Sequence, residues 1–357
     1  MNHCDVLIAG SGPAGAIAAY SLARMGRSVC LTERDLHRTK PGEALPGAVR
    51  RLMHALQLDG VLRDTPHACI GGHLSAWETR GLHARDELAS PDGPGLRIDR
   101  ARFDGELRRA AVRAGAHLIP QAVRQVARHE SKWQVVLESG EQVSPNWLVD
   151  ATGRCAFIAR RLGARRRRSA KLLGVYATAR SRPDFVLNRT LIESVAEGWW
   201  YVGRLPSGEV LVGLHTTPEE AVRVKSSAIA WECALKNTRY VSRYVRDLSF
   251  KMPACVFDAT GGRLDHFAGD GWIACGDAAV SCDPLSGQGL FSAIYTGMTA
   301  ARVVETSLAG RPSVVTSYDS EVDRVYDIYQ RRLRAMYQAV RQFPDARFWS
   351  QQNRYCQ

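Results

Sequence analysis

The turn that closes the first apolar segment limits what this chain can fold into more than any other stretch. Residues 5–15 read DVLIAGSGPAG, an apolar run ending in Gly10, Gly12 and Gly15. A short, continuously apolar segment suits a strand buried on both faces. Beyond it, Ile17, Ala18, Tyr20, Ser21, Leu22 and Met25 recur at helical spacing, so the glycines sit at a strand-to-helix turn. There Gly10 permits a tight bend, Gly12 lets backbone approach a pyrophosphate, and Gly15 lets the helix pack closely on the strand. The free N–H groups at the helix start favour negative charge. A second apolar strand, Ser28 to Thr32, runs into Glu33, which lies 18 residues beyond Gly15. At that distance a carboxylate can accept from ribose hydroxyls. Together these features predict an adenine dinucleotide; the alternative is a tight turn in a doubly wound sheet that holds no ligand.

The 357 residues can bury a large core, and one or two interleaved domains are expected. Hydrophobic content of 45% and charged content of 24% fit a soluble globular protein. No apolar stretch approaches a membrane span. The first strand begins near Asp5, leaving no room for a signal peptide, and nine cysteines occur without a CxxC pair. The expectation is a cytoplasmic protein with reduced thiols and no metal site. The net charge of +12 comes mainly from arginine, since only six of the 48 basic residues are lysine. Its densest run, RRLGARRRR at 160–168, reads as a solvated helix end and loop or as a docking surface for an acidic partner. No recognition helix or finger spacing accompanies the charge, so nucleic acid is not an expected partner.

Segments 1–65, 95–170 and 265–310 read as α/β layers of one nucleotide-binding domain, with a helix from Ala101 to Ala114 in the second. Residues 133–149 form a predicted hairpin turning at Ser139-Gly140-Glu141. Segments 66–94 and 171–264 read as a second, substrate-binding domain. It contains strand candidates at 190–195, 199–202 and 210–215, the last two joined by the turn signal Pro206-Ser207-Gly208-Glu209. In the C-terminal segment 311–357, Tyr318, Val322, Val325, Tyr329, Leu333, Met336, Tyr337 and Val340 predict a long packing helix over 313–342. The expected fold is therefore α/β: a three-layer, Rossmann-like nucleotide domain with an inserted antiparallel sheet and a C-terminal helix.

Two further signatures follow strand ends. Asp150-Ala-Thr-Gly-Arg154 places Gly153 where backbone can run close to a ligand, although an ordinary turn would read the same. In Gly271 to Leu290, a strand ends at Gly276-Asp277, and Asp283-Pro284-Leu285 and Gly287-Gln288-Gly289 precede a helix over 290–308. A helix start bracketed by glycines offers bare N–H donors to an anionic ring system. A reduced isoalloxazine, negative near N1 and the C2 oxygen, is such a group, so FAD is the expected cofactor.

These three motifs, GSGPAG at 10–15, DATG at 150–153 and GDAAVSCDPLSGQG at 276–289, resemble the class A FAD-dependent monooxygenase superfamily, with its hydroxybenzoate hydroxylase type of fold. Within it, PGEALP at 41–46 and DPLSGQG resemble the subgroup of tryptophan halogenases, geranylgeranyl reductases and peptide-modifying flavoproteins. The resemblance implies that Gly10, Gly12, Pro13, Ala14 and Gly15, with Glu33 and Arg34, bind the ADP half of FAD. It places Glu43, Ala44 and Gly153 along the cofactor, Arg100 toward the pyrophosphate and Val123 near the adenine. Gly276, Asp277, Pro284, Gly287, Gln288, Gly289 and Leu290 would flank the flavin. The halogenases carry a WxWxIP motif and a catalytic lysine after their GE motif. Here the matching stretch is Trp199-Trp-Tyr-Val-Gly-Arg-Leu-Pro206, and residues 66–81 contain no lysine, which disfavours halogenation. Modest length, the GWWY…LP hairpin and the DPLSGQG form resemble instead the flavoproteins that mature cysteine tryptophylquinone oxidases.

That resemblance implies hydroxylation of a tryptophan in a partner protein, an oxidase precursor, through a C4a-hydroperoxyflavin. Such a site acts by positioning and by excluding water. His215 or His73 could accept the ring proton, and Trp77, Trp200 and Tyr201 are candidate walls of the substrate pocket; core packing is the plainer reading of each. Only one GxGxxG is present, so the reductant is NAD(P)H docking transiently or a separate flavin reductase. The alternatives are a flavin-dependent reductase of an isoprenoid or lipid alkene, a halogenase-like enzyme and a non-catalytic flavin-binding partner protein.

Overall fold

The structure is a computed structural model that describes residues 3–36, 43–87, 90–129, 132–181, 187–252, 254–311 and 315–355. Pro41 and Gly42 of the PGEALP stretch lie outside the described residues. The core is a sheet in which five parallel strands stand in the order Trp272–Ala274, Gln142–Asp150, His3–Ala9, Val29–Thr32, His117–Ile119. The first predicted strand is the middle one. Val6, Leu7 and Ile8 are fully buried, which is why its run is continuously apolar and does not alternate.

The helix Pro13–Arg24 packs on this sheet and against the helices Arg100–Arg113 and Gly289–Leu308. The predicted hairpin is present as Lys132–Leu137 and Gln142–Asp150, with Gly140 at φ +89° in its turn. Its second strand also joins the parallel sheet beside His3–Ala9, a long-range pairing that local alternation does not encode.

A seven-stranded sheet runs Cys255–Asp258, Leu173–Arg180, Glu209–Thr216, Gly198–Arg204, Thr190–Val195, Gly72–Ala76, His83–Asp86. The three predicted strands are central in it. The pleat sorts Gly198–Arg204 by face: Trp199 and Tyr201 pack toward the core around the parallel sheet, and Trp200 and Val202 toward a separate cluster. The helices Pro218–Lys225, Ala228–Lys236 and Val241–Val245 cover that second face. No element is predicted there, although Thr217 and Ser227 cap the first two through side-chain acceptors, a legible start signal.

The C-terminal stripe forms the helix Val315–Ala339, which buries Tyr318, Val322, Tyr329, Leu333 and Tyr337. Val325, predicted within the stripe, is 40% exposed. A further helix, Arg347–Tyr355, buries Phe348 and Trp349. The fold is thus a Rossmann-like α/β arrangement with C-terminal helices and an added sheet that is antiparallel except where Gly72–Ala76 runs parallel to Thr190–Val195. This departs from the expected antiparallel sheet because that strand comes from the distant segment 66–94 and not from a hairpin. Among the described residues no helix is long and apolar enough to cross a membrane.

Gly297 sets the approach of the helix Gly289–Leu308 to the helix Pro13–Arg24, because a Cβ there would stand 2.4 Å from the Ala14 carbonyl oxygen. Gly297→Val should therefore lower stability by about 1–3 kcal/mol through overpacking. A denaturant midpoint equal to wild type would show that this contact yields freely.

Candidate cofactor site

Three adjacent parallel strands end level with one another. Ala9 is in register with Asp150, and Asp150 with Ala274. Each of the three sequence motifs starts at that line, so residues more than a hundred positions apart meet at one edge of the sheet. Ligands of open α/β sheets bind at the carboxyl ends of the strands. Backbone bonds lock the edge: Ala151 N donates to Ala9 O at 2.8 Å and Cys275 N to Asp150 O at 2.9 Å.

Close approach explains the glycines. At Gly10, φ is +97° and a Cβ would lie 2.2 Å from the Ala151 oxygen; at Gly15 one would lie 1.9 Å from the Gly10 oxygen. At Gly276 a Cβ would meet that of Ala14 at 2.6 Å, so the first and third motifs touch. Asp150 is fully buried, and its carboxylate accepts from Thr152 N at 3.0 Å, Thr152 Oγ1 at 2.6 Å and Ala159 N at 2.8 Å. Burial nonetheless holds its carboxyl above the usual range.

Gly12 begins the helix Pro13–Arg24 with no side-chain cap. Its first-turn N–H groups are left to a ligand. Pro13, Ala14 and Gly15 are buried in that turn. Glu33 accepts from Ser11 N at 3.0 Å and Ser11 Oγ at 3.3 Å, which fixes the carboxylate beside the glycine loop. Arg34 and Val123 line one cavity of about 410 Å³ with Arg124, Glu138 and Phe157, and Arg34 is ion-paired to Glu138. Glu43 and Ala44 open the short strand Glu43–Leu45, which pairs with Leu96–Ile98. Arg100, which follows that partner strand, is buried and grips Asp104 at 3.2 and 3.1 Å.

In the second and third motifs, Gly153 and Gly287 have φ of +71° and +62°, and a Cβ on either, or on Gly289, would meet nothing within 4 Å. Gln288 starts the helix Gly289–Leu308 without a side-chain cap, and Leu290 is buried in its first turn. Pro284 opens the turn before it, whose Leu285 N donates to Asp283 Oδ1 at 2.9 Å. Open space beside glycines and two uncapped helix starts is a cradle that FAD fits. Arg154 ties the motifs together: its Nε is 3.3 Å from Asp277 Oδ2, and its Nη2 donates to Cys282 O at 3.1 Å. Arg166, from the arginine run, donates to Ala278 O at 3.1 Å and Ser281 Oγ at 2.6 Å and so braces the same loop. Neither arginine carries a cofactor role in the sequence reading, where Arg166 belongs to the run read as a solvated helix end and loop or as a docking surface.

From this loop an aromatic path leads into the large sheet. Tyr337 Oη donates to Asp283 Oδ2 at 2.8 Å, and burial pushes that carboxyl up to about 6. The Tyr337 ring lies 6.4 Å from Trp77, Trp77 lies 6.2 Å from Trp199, and Trp199 stacks on His215 at 3.6 Å. His215 Nε2 is 2.7 Å from Tyr176 Oη. The path thus includes His215 and Trp77 but not the other candidates. Trp200 is on the opposite face, against Trp231 at 5.2 Å. His73 is hydrogen-bonded to Glu87 at 2.6 Å near the sheet edge. Tyr201 shares the inward face and accepts from Arg97.

The chain matches the FAD binding domain family over residues 3–331. It belongs to that family. Its cofactor is FAD, and it is an FAD-dependent oxidoreductase with the class A flavoprotein fold. It is 28% identical to LodB of Marinomonas mediterranea, named as an FAD-dependent oxidoreductase, over 99% of this chain and 98% of that one. Among solved structures it resembles the myxobacterial chondrochloren halogenase CndH, with TM-score 0.85 and 22% identity over 99% of this chain and 86% of that one. It also resembles the peptidyl tryptophan dihydroxylase QhpG, essential for tryptophylquinone cofactor biogenesis, with TM-score 0.74 and 24% identity over 98% and 78%.

Burial pulls the His215 imidazole down to about 3, so the folded chain keeps it neutral where an unfolded chain, near 6.5, takes up a proton. The unfolded state binds more protons between these values, and stability falls as pH drops through them. Asp283, raised to about 6, works the other way over its own window. His215→Phe should therefore flatten the acid-side decline of the melting temperature below pH ~6.5. A decline as steep as in wild type would contradict a buried neutral imidazole.

Proposed function

We propose that this oxidoreductase hydroxylates a tryptophan side chain of a partner protein, an oxidase precursor whose quinone cofactor is being built. The observation that carries this reading is the aromatic path from Asp283 and Tyr337 through Trp77 and Trp199 to His215. It runs from the loop of Asp283 into the sheet as rings buried against one another, a stiff aromatic wall of the kind that packs well on an indole. An aliphatic tunnel, suited to an isoprenoid or lipid, would favour the reductase alternative. The likeness to QhpG adds support, as does the absence of lysine from residues 66–81.

In this reading Gly10, Gly12, Pro13, Ala14, Gly15, Glu33 and Arg34 hold the ADP half. Val123 borders the adenine, Glu43, Ala44 and Arg100 support the middle, and Gly153, Gly276, Asp277, Pro284 and Gly287 to Leu290 frame the flavin. When bound, reduced FAD supplies two electrons for splitting dioxygen, one atom entering a ring C–H bond and the other leaving as water. Trp77 and Tyr201 border the substrate ring and keep water out. Neutral His215 relays the departing ring proton at Nε2, with Tyr176 Oη between; its low basicity suits passage and not storage. Trp200 stiffens the sheet from behind, and no step falls to His73. Electrons come from NAD(P)H or a separate flavin reductase.

The test incubates FAD-loaded, reduced protein with labelled dioxygen and an oxidase precursor bearing its tryptophan, followed by mass spectrometry. Label in the indole ring is expected. Bromination of the ring in the presence of bromide, or no incorporation while an isoprenoid alkene is reduced, would overturn the reading.

A further inference from the structure

Outside the candidate cofactor site, one cationic side chain is buried without a counter-ion among the described residues. Arg97 lies in the strand Leu96–Ile98, whose neighbours Leu96 and Ile98 are buried in the core around the parallel sheet. Arg97 is only 3% exposed. Its Nη2 donates to Thr190 Oγ1 at 2.7 Å and its Nη1 to Tyr201 Oη, both neutral hydroxyls. Among the described residues no carboxylate pairs with it. Burial pulls the guanidinium down to about 10, so it stays cationic at neutral pH. A buried charge costs free energy unless it is paired. The strand opposite is shaped to admit it: a Cβ on Gly203 would stand 2.2 Å from Arg97 Nη1.

Arg97 is also the buried wall of a recess of about 200 Å³. The rim includes exposed His67, Asn188 and Arg204, with half-buried Arg189 beside them. Arg189 is ion-paired to Asp86; Arg204 has no carboxylate partner among the described residues. His67 Nδ1 donates to Thr65 O at 2.9 Å. The recess is smaller than the roughly 300–1,000 Å³ of sites that enclose a whole drug-sized ligand. It suits one side chain. A guanidinium offers five N–H donors in a planar fork, and two of them meet the hydroxyls named above. The fork matches a carboxylate in bidentate geometry.

We propose that this recess is a carboxylate-binding subsite that takes an acidic side chain of the protein substrate. Arg97 pairs with the carboxylate at the base, and Arg204 and Asn188 hold the flanking backbone and charge at the rim. The strand that carries Tyr201 also carries Gly203 and Arg204, so an acidic residue seated here registers the substrate chain against the inward face of the sheet. The assignment rests on the protein-substrate reading above. Binding is read without turnover, so a chain that binds acidic peptide but hydroxylates nothing refutes that reading and leaves the subsite.

The experiment is calorimetric titration of the FAD-loaded protein with an acetylated, amidated glutamate tetrapeptide. A glutamine tetrapeptide serves as control, and inorganic phosphate at matched ionic strength as competitor. Saturable binding of the glutamate peptide alone is expected. Arg97→Met should weaken it by roughly tenfold or more, the loss typical of a hydrogen bond to a charged group. That variant should melt no lower than wild type, because it removes a buried unpaired charge; a purely structural arginine would give a lower melting temperature and unchanged binding. If Arg97→Met does not fold, Arg204→Gln on the rim carries the test, with several-fold weaker binding expected. No saturable binding to wild type, equal binding of the glutamine peptide, binding indifferent to both substitutions, or displacement by phosphate at equal affinity would overturn the proposal.

Discussion

The level ending of three parallel strands is the constraint on which the site depends. Ala9, Asp150 and Ala274 stand side by side, and the bonds from Ala151 N to Ala9 O and from Cys275 N to Asp150 O hold the chains as they leave the sheet. A one-residue slip would exchange the side chains packed in the layers on the two faces of the sheet, and it would also separate the glycine turns from one another. The apolar interior of His3–Ala9 and Gln142–Asp150 thus specifies the site as firmly as the motif residues do.

Small residues then let the layers close. Ala14, Gly276 and Gly297 meet where the helix Pro13–Arg24, the third motif and the helix Gly289–Leu308 converge, at distances that admit no further carbon. Around this dry contact, charge does the bracing. Arg154 spans from the second motif to Asp277 and the Cys282 carbonyl, and Arg166 holds the Ala278 and Ser281 side of the same loop. The C-terminal helix completes the frame by placing Tyr337 against Asp283. That contact couples the loop of the third motif to the aromatic layer and to the sheet beyond.

The cofactor half of this arrangement is legible from local pattern. Glycine spacing, apolar runs and the acid at Glu33 are short-range signals, each with one backbone explanation. The second half is not. Trp199 and Trp200 are neighbours in sequence, yet the pleat sends them to opposite faces, and only the register of Gly198–Arg204 against Glu209–Thr216 tells which one sits on His215. Arg97, Arg154 and Arg166 look like three of many surface arginines until partners from distant segments surround them. The helices over 218–245 are short, and their caps at Thr217 and Ser227 are the signals that could have revealed them.

The most direct measurement of the central claim is FAD content in variants drawn one from each converging segment: Gly12→Val, Gly153→Val and Gly289→Val. Position 289 is the sharpest of these, since its Cβ direction is open and its φ is not one that disfavours a side chain. Visible absorbance of the purified proteins, after reconstitution with FAD, should show full occupancy in wild type and a marked loss in every variant, with far-ultraviolet circular dichroism unchanged at Gly289→Val. Undiminished flavin in any one of the three would mean that its segment does not face the isoalloxazine nucleotide, and the convergence described above would be wrong.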